Sequence, residues 1–140
     1  DKAVAFFKEI FLQGMEKNKR IEAPNTFAID SLDLAHLALT QRANTDTTAL
    51  EFLTKHLSAA AGREVAIKAL PSNYGTQVTK DKTRAMVYVN SKEHVIFDVP
   101  MSPTVLDAQP KGLLAFESGL RMAFGGVTFM EPDSALYVDY

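Results

Sequence analysis

The stretch LAFESGLRMAFGGVTF, residues 114–129, carries the clearest structural signal in the chain. Leu114, Phe116, Leu120, Met122 and Phe124 alternate with polar or small neighbours, and Ser118 keeps the same register. Successive side chains of a strand point to opposite faces, so a period of two predicts one long strand with an apolar face. Gly125-Gly126 then offers the two-residue loop of a tight hairpin, where positive φ is needed and glycine supplies it. In such a loop Phe124 faces Val127 and Met122 faces Phe129, which puts all four on one face. The expectation is a C-terminal Gly-Gly hairpin, ended by Pro132 and followed by a short strand over residues 136–140.

Upstream of this segment the pattern continues as strands. Residues 84–90 place Val87 and Val89 on one face, and residues 94–99 are the expected partner through the polar turn Ser91-Lys92-Glu93. Pro100, Pro103 and Pro110 mark an irregular crossing between them and the long strand. Residues 71–83, PSNYGTQVTKDKT, have no period and many turn formers, and predict a loop. Before it, Val65, Ile67 and Ala69 alternate over a strand at 64–70.

The first half has the longer period of helices. Val4, Phe7, Phe11 and Met15 form one face of a helix from Lys2 to about Asn18, widened by Phe6, Ile10 and Leu12. Asp1 suits its amino end, and Lys17, Lys19 and Arg20 suit its carboxyl end. Pro24 and Asn25 break the pattern before an extended piece at Thr26–Ile29. Asp30 and Ser31 are both candidate N-caps for a second helix through Leu32, Leu34, Leu37 and Ala38, fraying at Arg42, Ala43 and Asn44. Thr48 with Glu51 three residues on is a capping box for a third helix, which carries Leu50, Leu53 and Leu57 inward and stops at Gly62. Helices followed by strands predict a single α+β domain over residues 1–140, with three helices packed on a mixed, largely antiparallel sheet.

Composition narrows what such a domain does. Of 140 residues, 46% are hydrophobic, with nine Phe and four Tyr, which is ample material for a core. Fifteen basic residues against 17 acidic give a net charge of −2, which argues against a nucleic-acid grip built on a basic face. There is no cysteine, which excludes disulfides, thiolate metal sites and cysteine nucleophiles in these residues. The longest apolar run, residues 3–7, is far short of the roughly 20 needed for a membrane-spanning helix. No signal peptide is visible, and the first residue is Asp1 rather than Met, so the chain reads as a fragment of a longer product.

A search for reactive constellations returns structural roles instead. His36, His56 and His94 are the histidines, and no pair has the i, i+4 spacing of a helical metal site. Glu93-His94 hints at an acid–base pair but reads more simply as a solvated turn before a strand. Asp30 and Asp33 fit caps and first-turn charge, Glu117 should face solvent, and Asp98 suits the blunting of an edge strand. Glu131 and Asp133 flank Pro132 as turn chemistry. Gly125-Gly126 lacks the spacing and lysine of a phosphate loop, and no serine sits in a G-x-S-x-G elbow. The run Lys80-Asp81-Lys82-Thr83-Arg84 is the one basic cluster, interrupted by an acid and without interleaved aromatics. Tyr74 precedes it as an exposed-looking aromatic, so Tyr74, Lys80, Lys82 and Arg84 form a candidate subunit-contact loop. No residue is assigned to catalysis, to a cofactor or to a metal.

The second half resembles the C-terminal region of the tailed-phage major capsid protein family, which shares its shell-forming fold with encapsulins. The resemblance rests on KTRAMVYVNSKEHVIFDVPMSP, with Tyr88 near a strand end and the crossing from Val99 to Pro103. It continues through Gln109 and Gly112, the long strand, Gly125-Gly126-Val127, Pro132 and a closing Tyr137-x-Asp139. In the first half, Asn25-Thr26-Phe27-Ala28-Ile29-Asp30 resembles the short strand set before a helix in such proteins. Residues 48–53 resemble the helix that follows. The resemblance implies an axial domain meeting other copies of itself around fivefold and sixfold axes, as pentamers and hexamers in an icosahedral virion assembled in the bacterial host cytoplasm. It implies no cofactor, no membrane, no small-molecule substrate and only weak, non-specific contact with packaged DNA. It also implies that an N-terminal arm, an extended loop and most of a peripheral domain precede Asp1.

Two other readings compete. A small α+β ligand-binding or catalytic domain would need an apolar pocket between the first helix and the sheet, holding convergent polar groups. It fails if Phe6, Phe7, Phe11, Phe116 and Phe129 simply fill the interior. A non-viral interaction module would show a contiguous exposed apolar patch.

Overall fold

The computed structural model describes residues 2–43, 45–71, 74–77 and 81–140. Helix α1 (Lys2–Lys17) leads to strand β1 (Thr26–Ile29), then to helices α2 (Ser31–Leu39) and α3 (Ala49–Ala61). Strand β2 (Ala66–Ala69), a single helical turn α4 (Tyr74–Gln77) and strand β3 (Arg84–Tyr88) follow. The remaining strands are β4 (Val95–Asp98), β5 (Met101–Val105), β6 (Gln109–Pro110), β7 (Phe116–Glu117), β8 (Leu120–Ala123) and β9 (Gly126–Phe129). A 3-10 turn (Pro132–Ser134) then precedes β10 (Ala135–Asp139).

Most local signals that begin and end helices act as the sequence predicts, but α2 ends at Leu39 with Thr40 as its C-cap, short of the fraying expected at Arg42 and Ala43. Asp30, rather than Ser31, caps α2, its Oδ2 accepting from the Leu32 amide at 3.1 Å. The capping box of α3 is complete: Thr48 Oγ1 accepts from Glu51 N at 3.3 Å and Glu51 Oε2 accepts from Thr48 N at 3.2 Å. Gly62 closes α3 at φ +68°, a left-handed conformation that suits glycine. The cap expected from Asp1, the fraying at Asn44 and the contact expected from Lys80 lie outside the described residues. Residues 74–77, read as loop, form one helical turn.

The body is a four-stranded mixed sheet in the order β10-β3-β1-β2, with β1 and β2 parallel and the other pairs antiparallel. Its register aligns Ile67, Phe27, Val87 and Leu136 across one face, with Ala85 opposite Val138. Phe7, Ile10 and Phe11 of α1 and Leu53 and Leu57 of α3 pack on that face, and Phe27 at its centre is only 1% exposed. The opposite face carries Lys68, Met86, Tyr88 and Tyr137, none of them buried. Three principal helices on one side of a mixed sheet make the α+β architecture read from the residues.

The strands beyond β3 depart from expectation. Strand β4 does not pair with β3, which is already flanked by β1 and β10, but with β9. Strand β5 pairs with β8 and β6 with β7, all antiparallel. Residues 95–129 are therefore one long two-stranded ribbon, on the order of 50 Å long at about 3.3 Å per residue. Its tip is a loop closed by Lys111 N donating to Ala115 O at 2.7 Å, with Gly112 at φ +88°.

The expected hairpin at Gly125-Gly126 is thus corrected: the chain does not turn back there. Gly125 donates its amide to Asp98 O at 2.8 Å, and a Cβ on Gly125 would lie 2.8 Å from Asp98 Oδ2 and 2.9 Å from Asp98 Cβ. Gly126 sits at φ +91°. The pair lets the strand pass close to Asp98 with a local irregularity and continue into β9. Positive φ is needed at a bulge as at a hairpin turn, so local chemistry could not distinguish the two. The proline segment is likewise strand rather than irregular crossing. Pro103 sits where the β5–β8 register shifts, and Pro110 ends β6; a ribbon with two open edges tolerates residues without an amide donor.

Candidate subunit-contact surfaces

The ribbon presents apolar side chains that the body would have buried. Residues 102–122 are all exposed, so the ribbon extends free of the body. Phe97, Val105, Phe116, Leu120, Phe124 and Val127 are each at least 58% exposed, and the rings of Phe97 and Phe124 lie 6.0 Å apart. The apolar face expected to point into a core from Leu114 to Phe124 faces solvent instead, because its partner strand brings no second layer with it. At the tip Leu113 and Leu114 are 102% and 97% exposed. An apolar surface of this extent is a candidate contact surface. Glu117 faces solvent as expected and pairs with Lys111 at 2.8 Å.

A polar network holds the root of the ribbon to the body. His94, read as part of a solvated turn, is buried at 7% exposure. Its Nε2 lies 3.2 Å from Glu22 Oε2 and 3.4 Å from Glu131 Oε2, and its Nδ1 lies 2.6 Å from Ser91 Oγ. Glu22 also pairs with Arg63, whose guanidinium donates to the Ala23 carbonyl. Lys17 adds a bond to Ala135 O at 2.7 Å. The acidic partners of His94 come from the loop after α1 and from the end of the ribbon, not from adjacent Glu93. Sequence spacing could not show this, since both partners are remote along the chain. Glu131, expected as turn chemistry, belongs to this network.

A second surface lies at the other end of the sheet. A cavity of about 700 Å³ opens between the first turns of α1, helix α2 and residues 40–43, lined by Val4, Phe6, Phe7, Ile29, Leu37 and Ala49 with Lys2, His36 and Arg42 among its polar groups. Tyr140 hydrogen-bonds Asp33 beside it, and burial with that bond raises the phenol above its ordinary pKa. Arg42 stacks over Phe52 at 3.6 Å, and His56 packs against the same ring at 4.0 Å. This is the pocket that a ligand-binding domain would need, but several of its polar groups are already engaged within the chain, Arg42 with the Phe52 ring. Asp33 and Tyr140 satisfy each other, and His36 is exposed on α2. Phe7 and Phe11 fill the core, whereas Phe116 is 75% exposed on the ribbon. Among the described residues, no group of three or more His, Cys, Asp or Glu is placed to hold a metal, and no helix is long and apolar enough to cross a membrane.

The candidate contact loop divides. Tyr74 is 60% exposed on α4. Arg84 grips Asp139 through two bonds, 2.6 and 2.8 Å, and lies 5.7 Å over the Tyr137 ring. The bond to Arg84 holds the Asp139 carboxyl below its usual pKa, and Asp139 raises that of Arg84. Lys82 adds a smaller electrostatic effect on Asp139. The structure joins Arg84 and Lys82 to the edge of β10 and leaves Tyr74 outward. Asp139, not singled out as a partner of Arg84, becomes visible once β3 and β10 are paired.

The family described as major capsid protein matches residues 1–140. The chain belongs to the major capsid protein family. A solved structure described as the capsid of Myoviridae Phage XM1 shares the fold of this capsid-family chain at a TM-score of 0.76 and 9% sequence identity. That match covers 94% of this chain and 43% of the solved one, so the chain spans less than half the length of the capsid chain it matches. No curated protein matches. The α+β architecture with a mixed sheet is therefore a phage capsid fold.

Proposed function

We propose that this chain is a wall-building part of a phage major capsid protein, acting by contact with other copies of itself and not by catalysis. The observation that carries the reading is the exposed apolar ribbon on a capsid-family body. A catalytic protein concentrates convergent polar groups in a concave site, whereas a shell wall needs broad and repeated contacts. The body takes the axial position, and its copies meet as pentamers and hexamers in a virion assembled in the host cytoplasm. Exposed Tyr74, on the segment that continues through Lys80, Lys82 and Arg84, adds a smaller contact. A net charge of −2 makes adhesion to packaged DNA weak and non-specific.

Electron microscopy of the full-length product after overexpression tests the reading. Closed shells are expected. A product that stays strictly monomeric in light scattering refutes it, and tight DNA binding at physiological salt refutes the account of the charge.

A further inference from the structure

We infer that His94 is a charge-dependent pin at the root of the ribbon, tight while its imidazole is protonated and loose once it is neutral. The pin lies wholly inside one chain, so it involves neither another copy nor whatever covers the ribbon.

The joint has a fixed side and a free side. Asn25 Oδ1 accepts from Asn90 N at 2.7 Å and Asn25 Nδ2 donates to Asn90 O at 3.2 Å, which ties the chain to β1 just before the turn. Val89 beside it is buried. The ribbon begins three residues on, where Met130 N donates to His94 O at 2.9 Å and joins its two legs. Residues 102–122 are all exposed, so the ribbon is held at its root. On a lever of about 50 Å, a tilt of about 0.1 radian at the root moves the tip by about 5 Å.

The groups around His94 make its charge matter. Its Nε2 faces Glu22 Oε2 at 3.2 Å, from the loop after α1, and Glu131 Oε2 at 3.4 Å, from the far leg of the ribbon. Arg63, after α3, pairs with Glu22. Two carboxylates against one guanidinium leave one negative charge over, and a protonated His94 cancels it. Lys17, Lys19 and Asp133 line the shallow recess beside Glu131, and Lys92 and Glu93 are exposed on the turn itself. Ser91 Oγ, 2.6 Å from Nδ1, serves either state, since a hydroxyl donates to a neutral ring and accepts from a charged one. Protonation therefore leaves no polar atom stranded and adds attraction on both sides of the joint. That attraction is present at lower pH and lost as pH rises through the range in which histidine changes charge.

Hydrogen exchange of full-length, unassembled subunits, followed by mass spectrometry and corrected for intrinsic rates, reads the pin at Val95 and Met130, whose amides donate to Ser91 O and His94 O. Raising the pH from about 5.5 to about 8 should lower their protection by about threefold, a modest change because the Glu131 side chain is 57% exposed. His94→Gln should remove the pH dependence. Native protection that does not fall, or a His94→Gln protein that keeps the native change, overturns the inference. An equal fall in β1 and β3 also overturns it, since the whole body would then be responding. Glu131→Gln removes one carboxylate at a partly exposed position and should cut the change by about half or more, and a change of full size refutes the pin.

Discussion

Adding one methyl group at position 125 separates the ribbon from the hairpin that the residues first suggest. In the ribbon, a Cβ on Gly125 lands 2.8 Å from Asp98 Oδ2, 2.9 Å from its Cβ and 3.1 Å from its Cγ. The terminal oxygen can swing away, but the Asp98 Cβ is fixed to the backbone, and the two strands must part by a few tenths of an ångström. Overpacking of this kind costs about 1–3 kcal/mol. Gly125→Ala should therefore speed hydrogen exchange of the paired β4 and β9 amides by about 5- to 140-fold, at tenfold per 1.4 kcal/mol. Asp98→Gly removes the obstructing atoms and by itself weakens the strand by about 0.5–1 kcal/mol. In that background Gly125→Ala should become nearly neutral, leaving a coupling of about 1–3 kcal/mol between the two positions. Exchange followed by mass spectrometry on the four proteins of the cycle measures it. Additive effects would mean that residues 98 and 125 do not meet, and the ribbon pairing would be wrong.

Two further outcomes follow from the root of the ribbon and the edge of the sheet. His94→Ala leaves Glu131 without its buried partner and should destabilise the root by about 1–3 kcal/mol, seen as faster exchange at Val95 and Met130 with little change in the core strands. Because the bond to Arg84 lowers the folded-state pKa of Asp139, the contribution of that pair is fully present above the unfolded carboxylate value of about 3.9 and fades as pH falls through the lower folded value. NMR titration of Asp139 should show its midpoint rising toward the ordinary value in Arg84→Ala, and an unmoved midpoint would remove the pair from the account.

Features that depend on near neighbours were legible from the residues. The caps at Asp30 and Thr48 depend on side chains within three positions of the amides they serve, and that at Gly62 on its own backbone conformation, so a short window contains the whole interaction. The inward faces of α1 and α3 follow from a 3.6-residue period in the same way. The site was less legible. Tyr74 is outward, as an exposed aromatic predicts, but neither the grip of Asp139 on Arg84 nor the enclosure of His94 by Glu22 and Glu131 is legible from neighbouring residues. In each case the deciding partner lies far along the chain, and only pairing of the strands brings it near.

The residue order by itself determined an α+β chain of near-neutral charge, helices first and strands after, with alternating apolar residues from 114 to 124 and glycines where positive φ is required. Tertiary structure alone decided which strands pair and therefore which apolar residues are buried. Alternation states that a strand has two unlike faces but not what lies against either one. Val87 and Phe124 carry the same local signal, yet one is covered by helices while the other stands in solvent on a ribbon. Burial is a property of the second layer, and the second layer is set by contacts between residues remote in sequence.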